Sequence, residues 1–382
     1  MSEHILITGG DGYVGLRTAR AYLEETDAQV TLVLRARDAE EAENKRNAVA
    51  LGLWGVDLRR VSYVHDDITG EAPFAEVDPK GITAIVHAAA VTRFNVERPL
   101  AESVNVEGAK KLLAFADRCP KLESFGLLST VYSCGLLPGT VSEVPARQDH
   151  GFANHYEWSK WAAETSALEA YSHLPLRIIR IATLFADGDT GQVTQFNAFH
   201  NTLKLYFYGL LSLVPGKLDT PVYLVAGDFV TRSVFRLVRS KSAKGIYHVA
   251  HEREHNPTLG ELISQVFDIY EANEEFRRKR ILRPLFTDDE SFEILAETVD
   301  TFAGAVTRQA LQSMTPFARQ LYVHKTLSNT RMQAELGDYQ PPNYRAQLAR
   351  TVENLIDTKW GRHSPKITPV ANHPERTRQY AV

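Results

Sequence analysis

Ile5-Leu6-Ile7-Thr8-Gly9-Gly10-Asp11-Gly12-Tyr13-Val14-Gly15 is the stretch on which the reading of the fold turns. An aliphatic run gives way to glycines spaced by threes, Gly9, Gly12 and Gly15, and then to a segment that can be helical. The spacing predicts a strand, a tight turn and a helix. Glycine serves such a turn in three ways. One permits the turn, one lets backbone amides approach a pyrophosphate, and one lets the helix pack closely on the strand. The start of the helix then presents partial positive charge to the phosphates. Thr8, Gly9, Gly12, Tyr13, Val14 and Gly15 are therefore the expected cradle of a dinucleotide. A glycine pattern alone also fits a plain strand–turn–helix, and its position directly after the first strand is what favours the cradle.

Outward from this loop, strand-like and helix-like segments alternate through the first ~250 residues, the rhythm of βαβ units and a mainly parallel sheet. The expected strands are 4–8, 29–34, 61–65, 84–88, 124–130, 176–181 and 246–249. Most are continuous aliphatic runs, as in strands buried on both faces. Helical patterns fall between them, at 104–117 and 156–171. The expected fold class is α/β, a Rossmann-type doubly wound parallel sheet with a smaller, mostly helical C-terminal substrate lobe. Residues 1–185 would form the nucleotide domain, with 221–250 returning to the sheet. Residues 186–220 and 251–362 would form the lobe, and 363–382, polar and proline-bearing, a flexible tail. In the lobe, Phe196, Phe199, Leu203, Tyr206, Phe207 and Leu210 fall mostly on one helical face. That face is either core or one wall of an apolar acyl pocket, and the second use is expected for part of it.

Composition narrows the class. Of 382 residues, 44% are hydrophobic and 24% charged, as in an ordinary globular chain, which excludes a disordered or fibrous protein. The formal charge is −4, so nothing global favours nucleic acid or an anionic membrane. Two cysteines, Cys119 and Cys134, cannot build a disulfide framework. No signal peptide and no stretch long and apolar enough to span a bilayer is read, so a cytoplasmic location is expected. The histidines form no metal-binding spacing and no metal is expected. Nothing fixes an oligomeric state.

Two further segments carry chemistry. After the second strand, where an acidic residue would read the ribose of NAD, stands Leu34-Arg35-Ala36-Arg37. Arg35 and Arg37 could fork onto the 2′-phosphate of NADP(H). Further on, Tyr156-Glu157-Trp158-Ser159-Lys160 places Tyr156 and Lys160 on one helical face. A nearby ammonium favours the phenolate and is expected to lower the tyrosine pKa from near 10. The fifth strand ends in Ser129-Thr130, whose hydroxyls could stabilise a developing oxyanion. Thr130 is the expected partner of Tyr156, with Ser129 in that place if the register differs by one.

These pieces together resemble the extended short-chain dehydrogenase/reductase family. To the glycine loop and the Tyr-x-x-x-Lys pair they add Asp67-Ile68 after the third strand, His87-Ala88-Ala89-Ala90 after the fourth, and Asn105-Val106-Glu107-Gly108. The resemblance covers roughly residues 4–250. It implies that Thr130, Tyr156 and Lys160 are the catalytic set and that Lys160 also holds the nicotinamide ribose. It further implies that Asp67 and Ile68 flank the adenine, and that Ala88, Ala89, Ala90 and Asn105 border the cofactor. Within that family the chain is most similar to fatty acyl-CoA reductases and the thioester-reductase domains of carboxylic acid reductases. The similar stretches are His87 to Asn95, Leu34 to Arg37 with Arg46, Gly188 to Gly191, and Ser328 to Arg331 with Leu336-Gly337 and Pro341-Pro342. One departure is Arg180-Ile181, where that branch usually has Arg-Pro. The implied activity is NADPH-dependent reduction of an acyl thioester, a small acyl-CoA or a carrier-bound one, to an aldehyde, where reduction either stops or goes on to an alcohol. A ketoreductase of sterol- or flavonol-type substrates is the alternative.

Overall fold

The computed structural model describes residues 3–241, 244–302 and 314–363; the expected tail, from 364 on, lies outside them. Seven strands form one parallel sheet: β1 His4–Thr8, β2 Gln29–Leu34, β3 Val61–His65, β4 Ala84–His87, β5 Ser124–Thr130, β6 Leu176–Ile181 and β7 Gly245–Val249. Their order is β7-β6-β5-β4-β1-β2-β3. These are the seven strands expected from the sequence. The order reverses between β1 and β4, which pair in register from Ile5↔Ala84 to Thr8↔His87. A ligand crevice opens at such a switch point, outside the carboxyl ends of the strands.

The alternation of side chains explains the layering. Ile5 and Ile7 enter one core and Leu6 the other, all fully buried. On the first face lie α1 (Tyr13–Glu25) and a helix at Gly227–Arg239, where Tyr22 and Phe235 meet edge-on at 4.9 Å. On the second face lies a helix running from Arg98 to Ala116, whose middle, Glu102–Glu107, is a π segment. Beside it is the helix His155–Ala170.

A third core belongs to the C-terminal lobe, around the helices Ala198–Phe207, Leu259–Ala272 and Tyr344–Asp357. Here the aromatic stripe differs from expectation. Leu203, Tyr206 and Phe207 are each only 2% exposed. The Phe207 ring meets those of Tyr270, Phe276 and Trp360 at 5.1, 5.5 and 5.6 Å. Tyr270 donates to the Leu203 carbonyl at 2.8 Å, and Tyr206 to that of Leu213 at 2.9 Å. For these three residues the channel reading gives way to core, because the facing helices fill the space. Leu203→Ala is expected to cost about 2–5 kcal/mol of folding free energy, the range for a buried Leu truncation. An unchanged midpoint in urea unfolding would show that the stripe is not core.

Three short parallel pairs escape a sequence reading. Thr183–Ala186 pairs with Leu224–Ala226, Leu213–Pro215 with Leu285–Thr287, and Gly139–Val141 with Lys325–Leu327. The last ties the chain just beyond β5 to the far C-terminal lobe. No helix among the described residues is long and apolar enough to cross a membrane.

Candidate active site

The glycine loop is built as its spacing requires. Gly9 has φ +66°, and a Cβ there would lie 2.8 Å from the Ala89 amide nitrogen. A Cβ on Gly15 would lie 2.2 Å from the Gly9 carbonyl oxygen. Gly12 N–H donates to that same carbonyl at 2.9 Å. Gly12 caps α1 without a side chain, and the first turn holds no acid. The first amides of α1, those of Tyr13 and Val14 among them, are thus left to an anion, which is what a pyrophosphate needs. The nearby Asp11 is drawn off by Lys45 at 3.0 Å.

Thr8 joins the two strands that flank the crevice. Its hydroxyl meets His87 Nδ1 at 2.7 Å and accepts from the Ala89 amide at 3.3 Å. Burial, with the Lys160 charge adding to it, drives the His87 pKa down to about 3. Tyr13 turns its side chain away from the loop. Its hydroxyl donates to Asp187 Oδ1 at 2.8 Å and fills the space that Gly227 leaves open. Arg17 pairs with the same Asp187 at 3.3 Å.

Arg35 and Arg37 are exposed at the end of β2. Arg37 pairs with Glu41 at 2.8 Å and borders an open groove of about 600 Å³ that also takes in Arg46 and His65. Arg46 lies 3.3 Å from His65 Nε2. Asp67 is half-buried. Burial raises its pKa, but hydrogen bonds from the Thr69 amide and hydroxyl outweigh that and hold it below the usual value, with help from Arg35 and Lys111. The Ile68 side chain is core and packs against Gly108, where a Cβ would lie 2.8 Å from Ile68 Cδ1.

Thr130 closes β5, and the helix His155–Ala170 presents Tyr156 and Lys160 beside it. The Thr130 side chain lies close enough to the Tyr156 hydroxyl to pull its pKa down. Ser129 faces the other way and donates to the buried Glu164. Of the two neighbouring hydroxyls, Thr130's is therefore the one that meets Tyr156. Burial pushes the Tyr156 pKa up, against the smaller pull of the Thr130 side chain. This is opposite to the lowering expected from Lys160. The Lys160 amine donates instead to the Leu128 carbonyl at 2.6 Å, and burial brings its pKa down to about 8.

Aromatic rings close over this pair. Phe94 meets Tyr156 edge-on at 5.7 Å and stacks on Phe317 at 4.9 Å. Tyr132 meets Phe317 at 5.1 Å and bonds the Thr183 hydroxyl at 2.8 Å. Asn105, in the π segment, accepts from the Val91 amide at 2.8 Å. It donates to the Val91 carbonyl and the Ser159 hydroxyl, each at 2.9 Å. It braces the loop that carries Ala88, Ala89 and Ala90 against the Tyr156 helix.

The model for the family described as male sterility protein, an NAD-binding domain, matches residues 7–234. The chain belongs to that family. Relatives of this male sterility family member are large. The isonitrile lipopeptide synthase of Streptomyces coeruleorubidus is 28% identical over 53% of the chain but only 14% of its own length. The fatty acyl-CoA reductase wat of Drosophila melanogaster is 21% identical over 74% of the chain and 63% of its own. The chain thus spans less than two thirds of these relatives. Among solved structures, the terminal R domain of the myxalamid PKS-NRPS pathway superposes with a TM-score of 0.74. It is 20% identical and covers 94% of this chain and 92% of that one.

Two features of the family member's site were not read from sequence. Asp187 lies 174 residues from Tyr13, just before the Gly188 to Gly191 stretch. Arg180, the departure before Ile181, is wholly buried and pairs with Glu164 at 2.6 Å, one helical turn beyond Lys160. His248 and His251 diverge, one toward Arg180 and Ser328 and the other toward Tyr339. No cluster among the described residues could hold a metal ion.

Proposed function

We propose that this chain is an NADPH-dependent reductase of acyl thioesters, acting by a Thr130–Tyr156–Lys160 set. The observation that carries the reading is the placing of Thr130, at the carboxyl end of β5, beside Tyr156 on the neighbouring helix. Lys160 lies one turn along the same helix, and the glycine loop ends a strand of the same sheet. The uncapped start of α1 and the glycine positions fit the dinucleotide, with Thr8, Gly9, Gly12, Tyr13, Val14 and Gly15 at its phosphates. Asp67, Ile68, Ala88, Ala89, Ala90 and Asn105 frame it.

When bound, NADPH supplies a hydride. The hydroxyls of Thr130 and Tyr156 hold the substrate's carbonyl oxygen as negative charge develops on it. The raised pKa keeps Tyr156 protonated at neutral pH, which suits a donor. For a thioester the oxyanion collapses, the carbon–sulfur bond breaks and the thiolate leaves, giving an aldehyde. For an aldehyde Tyr156 passes its proton to the oxygen, giving an alcohol. Lys160, positively charged below pH ~8, sits where it adds favourable charge to both steps.

The test follows NADPH oxidation against acyl-CoAs, carrier-bound thioesters, aldehydes and ketones. Turnover of thioesters and aldehydes is expected. Turnover of ketones with silence on every thioester and aldehyde would favour the ketoreductase alternative. Arg35 and Arg37 give the preference for NADPH in this reading. Arg35→Asp should weaken NADPH binding by about 1.5–3 kcal/mol, the range for a hydrogen bond to a charged group. Equal affinity of the unaltered chain for NADH and NADPH would remove the arginines from that role.

A further inference from the structure

Next to Tyr156, Glu157 is completely buried, with its carboxylate turned inward rather than to solvent. It accepts from the Ala153 amide at 3.0 Å and the Asn154 side chain at 3.1 Å, the residues that start the Tyr156 helix. Its remaining partner comes from the C-terminal lobe. Gln320 donates to Glu157 Oε2 at 2.8 Å and to the Gly135 carbonyl at 3.2 Å. Gln320 Oε1 in turn accepts from the buried Lys325 amine at 2.6 Å, and Lys325 also donates to the Gly135 carbonyl.

Gly135 ends the short turn that follows Thr130. It has φ +63°, and a Cβ there would lie 2.1 Å from the Gly151 carbonyl oxygen, so its place against the segment leading to Tyr156 is tightly fixed. A second hold comes from the same lobe: Asn154 donates to the Pro316 carbonyl at 2.8 Å, and the adjacent Phe317 stacks on Phe94. One buried carboxylate, one amide and one amine thus hold the two stretches of chain that deliver Thr130 and Tyr156.

We propose that Glu157, Gln320 and Lys325 are positioning residues that set the Thr130 and Tyr156 hydroxyls against each other, so that the C-terminal lobe is part of the catalytic apparatus. The bridge is balanced in charge and in hydrogen bonds. Burial raises the Glu157 pKa and lowers that of Lys325, and the Gln320 side chain joins the two by hydrogen bonds to both. None of the three touches the cradle described above, so their loss should act on the chemical step and not on cofactor binding.

This inference rests on the reductase reading, and the experiment separates the two. Glu157→Gln, Gln320→Glu and the double variant are compared with the unaltered chain for kcat, KM, NADPH affinity and melting temperature. Each single change leaves a donor facing a donor or two carboxylates face to face. The double change restores the donor–acceptor pair between positions 157 and 320 and puts Lys325 opposite a carboxylate, while the Ala153 amide and the Gly135 carbonyl lose their partners. Each single variant should lose on the order of 10–10² in kcat, the scale of a slight misplacement of reacting groups. NADPH affinity should be unchanged, and the double variant should recover part of the loss. Gln320→Met, which keeps the volume and leaves Glu157 intact, should show the same kcat loss if a charged single variant does not fold. A lowered melting temperature with unaltered kcat, or a double variant no better than the worse single one, would overturn the positioning role while leaving the reductase reading in place. Silence of the unaltered chain on every substrate would overturn both.

Discussion

Tyr156→Phe is expected to lower kcat for aldehyde reduction by a factor on the order of 10²–10⁴, the range for losing a positioned general acid. The change removes one oxygen and leaves the ring, so the contact with Phe94 at 5.7 Å is kept and the fold should be undisturbed. The thioester step should suffer less. A thiolate departs without a proton, and Thr130 remains to hold the oxyanion. The ratio of the two losses is therefore the informative quantity, read by following aldehyde and alcohol separately. Equal and small losses on both substrates would remove Tyr156 from the role of proton donor. The raised pKa gives the sign of the pH dependence: Tyr156 stays protonated through neutrality, so its donation should not fade between pH 6 and pH ~8.

The largest effect on stability is expected at Glu164. It lies beneath Ser129 and opposite Arg180, which is itself wholly buried. Arg180 reaches further, to the Val144 carbonyl at 3.1 Å and His248 Nε2 at 3.2 Å. Glu164→Ala leaves the guanidinium without its counter-charge and should cost about 3–5 kcal/mol, the range for a broken buried pair. Replacing Glu164 and Arg180 together by apolar residues of similar size should cost much less, because desolvation of both ions is then avoided. A denaturant series on the single and double variants checks this. A double variant as unstable as the single one would show that packing, and not the stranded charge, sets the cost.

The sheet was legible because strands buried on both faces read as short aliphatic runs, as Ile5-Leu6-Ile7 and Ala84-Ile85-Val86 do. The loop was legible because steric demand restricts Gly9 and Gly15 to glycine. The Tyr156–Lys160 spacing shows in one dimension because it lies within a single helix. What stayed hidden depends on meetings across the chain. Ser129 and Thr130 point to opposite faces, and only strand register decides which face holds Tyr156. Helical periodicity marked Leu203 and Phe207 as apolar, but the aromatic rings of Tyr270 and Trp360, far along the sequence, decide that the face is closed. The direction of the Tyr156 pKa followed the same pattern. A nearby lysine was visible, but the burial that outweighs it was not.

The pairing of Gly139–Val141 with Lys325–Leu327 has a consequence in time. A ribosome adding ~5–20 residues each second takes roughly ten to forty seconds to travel between those two segments. Through that interval the dinucleotide half can collapse and its sheet can form. Gln320 and Lys325, the lobe's end of the bridge to Glu157, still lie in untranslated message. A fragment ended near residue 234 would retain Thr130, Tyr156 and Lys160 but lack β7 and the lobe residues that reach Glu157. Such a fragment would resemble the nascent chain frozen midway, with the glycine loop made and the lobe's hold on the Tyr156 helix still to come.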